Sequence, residues 1–245
     1  MLDGPTLLAD AIRAGIAVEH VFLDPDATGR PEVDAAVRAA VTAGASAWNV
    51  TGGLRGHVDV ATPNGVAAVG RIPVTDDGDD AACGSPALHV VLVGVTDPGN
   101  TGTLLRTAEA VGATSVVLTE GSVDPWSPKV VRASAGSVLR VAVRSEPAGA
   151  ILGRLGEAGV LRVGTTGTGG RAPDRIDLTG PVAVVLGSEA HGLPADIAGD
   201  IDEWASLPMS GEVESLNVAV AGSVLAFEAL RQRAATEPAS SDGPR

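Results

Sequence analysis

The sequence is nearly devoid of aromatic side chains: it has no tyrosine, two phenylalanines and three tryptophans in 245 residues. A core must therefore be built from Val, Leu, Ile and Ala, with 32 glycines allowing tight turns. That composition favours an α/β protein whose parallel strands are buried. Cysteine is equally scarce. Cys83 stands alone, so neither an internal disulfide nor a thiolate metal site can form. The four histidines, His20, His57, His89 and His191, lack the spacing of metal ligands. No metal is expected, and a reducing cytoplasm suits the chain. It has no basic lead-in of a signal peptide and no apolar run long enough to cross a bilayer, so no membrane partner is expected. Lysine is the last scarcity: Lys129 is the only one beside sixteen arginines, and the net charge is −13. Such acidity argues against a broadly basic nucleic-acid-binding surface. It leaves room for a few arginines that grip phosphate bidentately while acidic residues solvate other faces.

Two globular stretches are expected. Residues 1–73 read as a small α/β unit, with helices over Pro5–Arg13 and Glu32–Ala43 and strands over Val18–Leu23, Ala47–Val50 and Val66–Ile72. Residues 74–87, which include Asp76, Asp77, Asp79 and Asp80, read as an acidic linker. In residues 88–235 strands alternate with helices. Apolar runs at His89–Gly94, Ser115–Thr119, Val138–Val143, Val160–Thr165 and Val182–Leu186 predict a parallel sheet buried on both faces. Helices are expected over Thr101–Val111, Ser127–Ala133, Ala148–Ala158 and Leu216–Arg233. Residues 236–245 read as a disordered tail.

Three segments stand at the C-terminal ends of these strands, where open α/β sheets bind ligands. The first, from Asp97 to Glu109, turns on Pro98-Gly99 and enters a helix near Asn100, an apt N-cap, with Arg106 nearly two turns further on. The second, Leu186 to Pro194, brackets Glu189 between Gly187 and Gly192. The third runs from Leu207 through Pro208 and Met209 to Ser215, Leu216 and Asn217. Each has a bland alternative. Asn100, Ser215 and Asn217 suit helix caps, Arg106 suits a solvated helix face, and Ser188-Glu189 suits a strand-to-helix turn. His191 reads as a surface residue.

Together, in this order and spacing, the segments resemble the three motifs of the SpoU (TrmH-like) branch of the SPOUT methyltransferases. The matching residues are Asn100 and Arg106; Gly187, Ser188, Glu189 and Gly192; and Pro208, Met209, Ser215, Leu216 and Asn217. The resemblance covers about Leu88 to Arg233. Residues 1–73, with Asp3-Gly4-Pro5 and Thr62 to Val69, resemble the L30e-like RNA-binding domain of rRNA-directed members. In that family a basic helix and a short strand precede the Gly-Pro segment. Neither is evident here, so an upstream basic segment is expected to improve RNA binding.

The resemblance implies a parallel-sheet SPOUT domain with a C-terminal trefoil knot, a homodimer, and transfer of a methyl group from S-adenosylmethionine to a ribose 2′-hydroxyl. The substrate implied is 23S rRNA, with tRNA the weaker alternative. Cofactor contacts would come from Thr165, Thr166, Gly167, Leu186, Gly187, Leu207, Met209, Ser215 and Leu216. Catalytic roles fall to Arg106, Asn100, Glu189, Ser215 and Asn217. Arginine is a poor general base because its pKa exceeds about 12. Arg106 is therefore expected to bind a phosphate and stabilise a developing alkoxide, with Glu189 holding the guanidinium. Two other classes compete with this one. A catalytically silent RNA-binding or assembly factor would have no chemical need to keep Asn100, Arg106, Glu189 and Asn217 together. A nucleotide-dependent dehydrogenase would need a Gly-x-Gly-x-x-Gly turn, and Gly94 to Gly102 lacks that spacing.

Overall fold

The computed structural model describes residues 1–58, 62–74, 86–211 and 215–236. Most of the expected linker (75–85) and tail (237–245) lies outside the described residues. The chain divides into two compact units. One comprises Met1–Asp76 and Asp124–Arg140, the other Asp77–Val123 and Val141–Arg245.

The first unit opens with a short strand, β1 (Leu2–Asp3), in the region where the sequence reading had found none before Gly4-Pro5. Helix α1 (Pro5–Arg13), strand β2 (Val18–Leu23), helix α2 (Pro31–Thr42) and strands β3 (Ser46–Asn49) and β4 (Val66–Gly70) follow. The sheet order is β1-β4-β2-β3, with β2 and β3 parallel and β4 antiparallel to both β1 and β2. Apolar residues of α1 and α2 (Leu7, Leu8, Ala11, Val33, Ala36, Ala40) are buried together with Val21, Val66 and Ala68 of the sheet.

The second unit contains β5 (Leu88–Leu92), α3 (Pro98–Ala110) and β6 (Ser115–Leu118). The chain then passes through α4 (Pro128–Ala133), which belongs to the first unit, before β7 (Val143–Ser145), α5 (Ala148–Glu157), β8 (Leu161–Thr165), β9 (Val182–Leu186), β10 (Glu203–Ala205) and α6 (Val218–Thr236). The six strands are all parallel, in the order β10-β8-β9-β5-β6-β7. Every residue of β5, β6 and β9 is buried, as their unbroken apolar runs require. His89 fits inside because its Nδ1 shares a 2.8 Å hydrogen bond with Ser115 Oγ.

Two sequence expectations need correction. Val138–Val143 is not a strand. Ser137–Leu139 forms a 3₁₀ turn, entered through Gly136 in a left-handed conformation, and the strand begins only at Val143. Apolar residues in a short run are compatible with either outcome. The last helix starts at Val218, two residues later than Leu216, because Asn217 caps it. Strand β10 carries too few apolar residues to register in a search for buried runs.

The strand order explains where a ligand can bind. The chain steps outward from β5 through β6 to β7, returns on the other side at β8, and inserts β9 between β8 and β5. The loops after β5 and β9 thus leave adjacent strands in a sheet whose direction of progress reverses there, the position at which such sheets form a crevice.

Candidate active site at the C-terminal edge of the parallel sheet

The site begins with a helix cap. Asp97, rather than Asn100, is the N-cap of α3, and its Oδ1 accepts from Asn100 N at 2.7 Å. Pro98 at the first helical position lacks an N–H that would need a partner. With capping done by Asp97, the Asn100 side chain is free to point elsewhere. Its Nδ2 donates to Glu189 Oε1 at 2.7 Å, across 89 residues of sequence.

The opposite end of the Asn100 amide is fixed by α6. Asn217 Oδ1 accepts from Ala219 N (2.9 Å) and Val220 N (3.3 Å), which satisfies the first turn of that helix. Those backbone donors dictate the orientation of the Asn217 amide, so its Nδ2 must donate. It does so to Asn100 Oδ1 at 2.9 Å. The result is a one-way chain of donors from Asn217 through Asn100 to the Glu189 carboxylate.

Two glycines let these elements approach. A Cβ on Gly222 would lie 2.4 Å from Leu186 Cδ1 and 2.7 Å from Leu104 Cδ2. Only glycine therefore allows α6 to settle against β9 and α3, where Thr107 Oγ1 and Ser223 Oγ share a 2.7 Å bond. A Cβ on Gly187 would lie 2.1 Å from the Gly192 carbonyl carbon. This tight turn is closed by Ser188 N to Gly192 O (3.1 Å) and Gly192 N to Ser188 O (2.8 Å), and it presents Glu189 at its tip.

Two cavities flank this turn. The first, about 650 Å³, draws on the three loops beyond β8, β9 and β10 and on the start of α6. Its walls include Thr165, Thr166, Gly167, Gly187, Leu207, Met209, Ser215 and Leu216. Leu186 does not reach it, being wholly buried at the end of β9. Sequence reasoning missed Leu193, Trp204, Ala221 and Leu225, which also line it. Trp204 was missed because β10 was, and Ala221 and Leu225 because helical spacing gives no hint of which face meets a cavity. The second cavity, about 870 Å³, is lined by Val93, Gly94, Thr96, Asp97, Asn100, Pro194 and others. Ser188, Glu189, His191, Gly192 and Asn217 border both.

Arg106 stands apart. It is exposed on α3, borders neither cavity, and makes no bond to Glu189, whose Oε1 is taken by Asn100. Six residues separate it from Asn100, about 240° around the helix and about 9 Å along it. Among the described residues, no group of three or more His, Cys, Asp or Glu could hold a metal ion, and no helix is long and apolar enough to cross a membrane.

A parallel α/β sheet with a ligand-sized crevice at its C-terminal edge, bordered by a polarised Asn–Asn–Glu chain, defines the class of open α/β proteins that bind a small molecule at this edge. Within that class, the SpoU rRNA Methylase family profile matches residues 87–227, and the chain belongs to this family. The 23S rRNA (guanosine-2′-O-)-methyltransferase RlmB of Pseudomonas putida is 40% identical over 152 residues, 61% of this chain and 60% of that protein. The chain therefore spans about 60% of the length of the curated relatives it matches. Among solved structures, the SpoU methyltransferase AviRb from Streptomyces viridochromogenes in complex with AdoMet superposes with a TM-score of 0.84 at 26% identity, covering 96% of this chain and 91% of that one. An AdoMet-bound rRNA methyltransferase from Sinorhizobium meliloti gives 0.81 at 28% identity, covering 94% and 85%.

Proposed function

We propose that the protein transfers a methyl group from S-adenosylmethionine to a ribose 2′-hydroxyl of RNA, with 23S rRNA as its substrate, in the cytoplasm. The observation that carries this reading is the Asn217–Asn100–Glu189 chain, which stands between two cavities, one for each reactant. Similarity along both units to an rRNA methyltransferase supports rRNA over tRNA.

The first cavity suits the cofactor on its own chemistry. Leucines 193, 207, 216 and 225 and Met209 offer apolar walls for an adenosine, and the Thr165, Thr166 and Ser215 hydroxyls offer polar partners. Bound there, S-adenosylmethionine supplies an electrophilic methyl on a sulfonium that leaves as a neutral thioether. The protein's own work is positioning and charge. Gly187 lets the backbone turn lie close against the cavity. Asn100, held by Asn217, orients the Glu189 carboxylate, which faces the acceptor cavity and accepts a hydrogen bond from the ribose hydroxyl. Ser215 lines the first cavity and not the second, so its hydroxyl meets the cofactor rather than the ribose. Arg106, outside the cavities, binds an RNA phosphate and so positions the strand, and the hydroxyl proton passes to the Glu189 carboxylate that already accepts its hydrogen bond.

The same reading includes a trefoil-knotted C-terminal segment and a homodimer. On α6, Val220, Val224, Phe227 and Leu230 are exposed at helical spacing, an apolar stripe suited to a second copy of the chain. The test is calorimetric titration with S-adenosylmethionine, followed by transfer of labelled methyl to rRNA and mass-spectrometric mapping. Tighter binding of NAD than of S-adenosylmethionine, or label appearing on a base, would overturn it.

A further inference from the structure

The first unit has a surface that the methyl-transfer reading does not use. Its sheet packs α1 and α2 against one face, where Val21 and Ala68 are paired and fully buried. Side chains alternate along a strand, so the neighbours of these residues point the other way. On that outer face Trp48 of β3 is opposite Phe22 of β2, Ser46 is opposite His20, and Val69 and Ala67 of β4 are opposite His20 and Phe22. The His20 ring centroid lies 6.2 Å from that of Phe22 and 6.5 Å from that of Trp48. Trp48 is 54% exposed and Val69 37%.

Chance placement is a poor account of this patch. Phe22 and Trp48 are two of only five Phe and Trp residues in the chain, and neither fills the core between sheet and helices. An exposed tryptophan on an edge strand is an aggregation liability that proteins ordinarily avoid. Charge permits a polyanionic occupant here more than on the second unit. The first unit holds ten acidic and eight basic residues, against twenty and nine in the second, so most of the −13 lies elsewhere. Arg71, just beyond β4, is bonded to Glu19 at 2.6 Å with its side chain 75% exposed. An exposed ion pair of this kind is worth at most about 1 kcal/mol, so a phosphate can compete for the guanidinium.

We infer that the outer face of this sheet is a stacking platform for unpaired bases of the RNA substrate, with Trp48 the principal ring, Phe22 and His20 beside it, and Arg71 meeting the backbone. The inference rests on the RNA-directed reading above. Duplex RNA offers no free base faces, whereas splayed single strands stack on exposed aromatic rings.

Fluorescence anisotropy of the full protein with a labelled oligoribonucleotide of about twelve nucleotides, a length such platforms can span, tests this. Trp48→Ala should weaken binding about tenfold, as loss of one stacked base does, while Trp48→Phe should keep affinity within about threefold and the same strand in a duplex should bind less tightly. S-adenosylmethionine affinity, measured in parallel, should be the same in all three proteins, which shows that they are folded. The platform is wrong if Trp48→Ala binds within twofold of the parent, if the duplex binds as tightly, or if the parent does not bind the unpaired strand. It is also wrong if the substitution abolishes self-association in light scattering with RNA affinity unchanged, since the face would then be a protein contact. Methyl transfer to rRNA is read separately. Failure of the parent to transfer any methyl would sink the enzymatic reading, whereas an active parent with an indifferent Trp48→Ala variant would sink the platform alone.

Discussion

Asn100 shows how one side chain becomes available for chemistry when a neighbour takes over its structural duty. Asp97 caps α3, so the Asn100 amide can bridge Asn217 and Glu189. Asn100→Ala should lower methyl transfer by about a hundredfold, the usual loss when one preorganised donor is removed, with cofactor affinity little changed. Asn100→Asp should be at least as damaging, because a second carboxylate would face Glu189. Single-turnover rates beside calorimetry separate the two effects, and a hundredfold loss of cofactor affinity would contradict the assignment. Arg106→Ala should abolish transfer with cofactor binding intact. Arg106→Lys should fail too, because a point charge cannot reproduce the planar fork. Lysine activity within a few-fold of the parent would show that the role is simple charge.

At the scale of elements, α6 is placed by what it lacks. Gly222→Ala would drive a methyl into Leu186 and Leu104, an overpacking that costs roughly 1–3 kcal/mol. Thermal unfolding should shift down accordingly, and an unchanged midpoint would mean that α6 can move away. The edge strand β10 is fastened differently. Asp202 accepts from Arg162 N and Nε, both at 2.8 Å, and from Nη2 at 2.7 Å. Chiefly through hydrogen bonding to the Arg162 side chain, the Asp202 carboxyl lies below its ordinary value of 3.8. A depressed carboxyl pKa stabilises the fold above the unfolded value and loses that contribution as pH falls through the folded one. Asp202→Asn should therefore lower the melting temperature at about pH 6, and the gap from the parent should narrow as pH falls below the ordinary carboxyl value of 3.8 and close below the depressed one. A gap that persists in acid would assign the effect to packing.

For the whole molecule, the proposed function requires an acidic protein to meet a polyanion. Methylation of rRNA should fall steeply with salt if a few arginines make the phosphate contacts, and rates between low and physiological ionic strength would measure how many. A flat salt profile would favour recognition by stacking and shape. The exposed stripe on α6 makes the second prediction at this scale. Val220→Glu should yield a monomer with little activity, as judged by light scattering and methyl transfer; a stable, fully active monomer would remove pairing from the reading.

Much of this protein is written in short-range pattern. The parallel sheet follows from unbroken apolar runs such as Val182–Leu186, which suit a strand covered on both faces. Among the described residues, four of the six α-helices begin at a proline, Pro5, Pro31, Pro98 and Pro128. The three motifs could be recognised in order because each is a short contiguous stretch of the chain. What the pattern could not supply was pairing over distance. Asn100 and Asn217 are 117 residues apart, and nothing local reveals that one donates to the other. Only the packing of α6 on β9 and α3, permitted by Gly222, brings them together. The same limit explains why the sequence grouped Arg106 with Asn100 and Glu189 while the helix turns it to another face. It also explains why Trp48 and Phe22 carried no signal until β2 and β3 paired them. Residue type and spacing determine which elements form and which chemistry they can carry, because those depend on neighbours within a turn or a strand. Tertiary structure decides which of those groups meet, because only the burial of each apolar face against its partner sets distances across the chain.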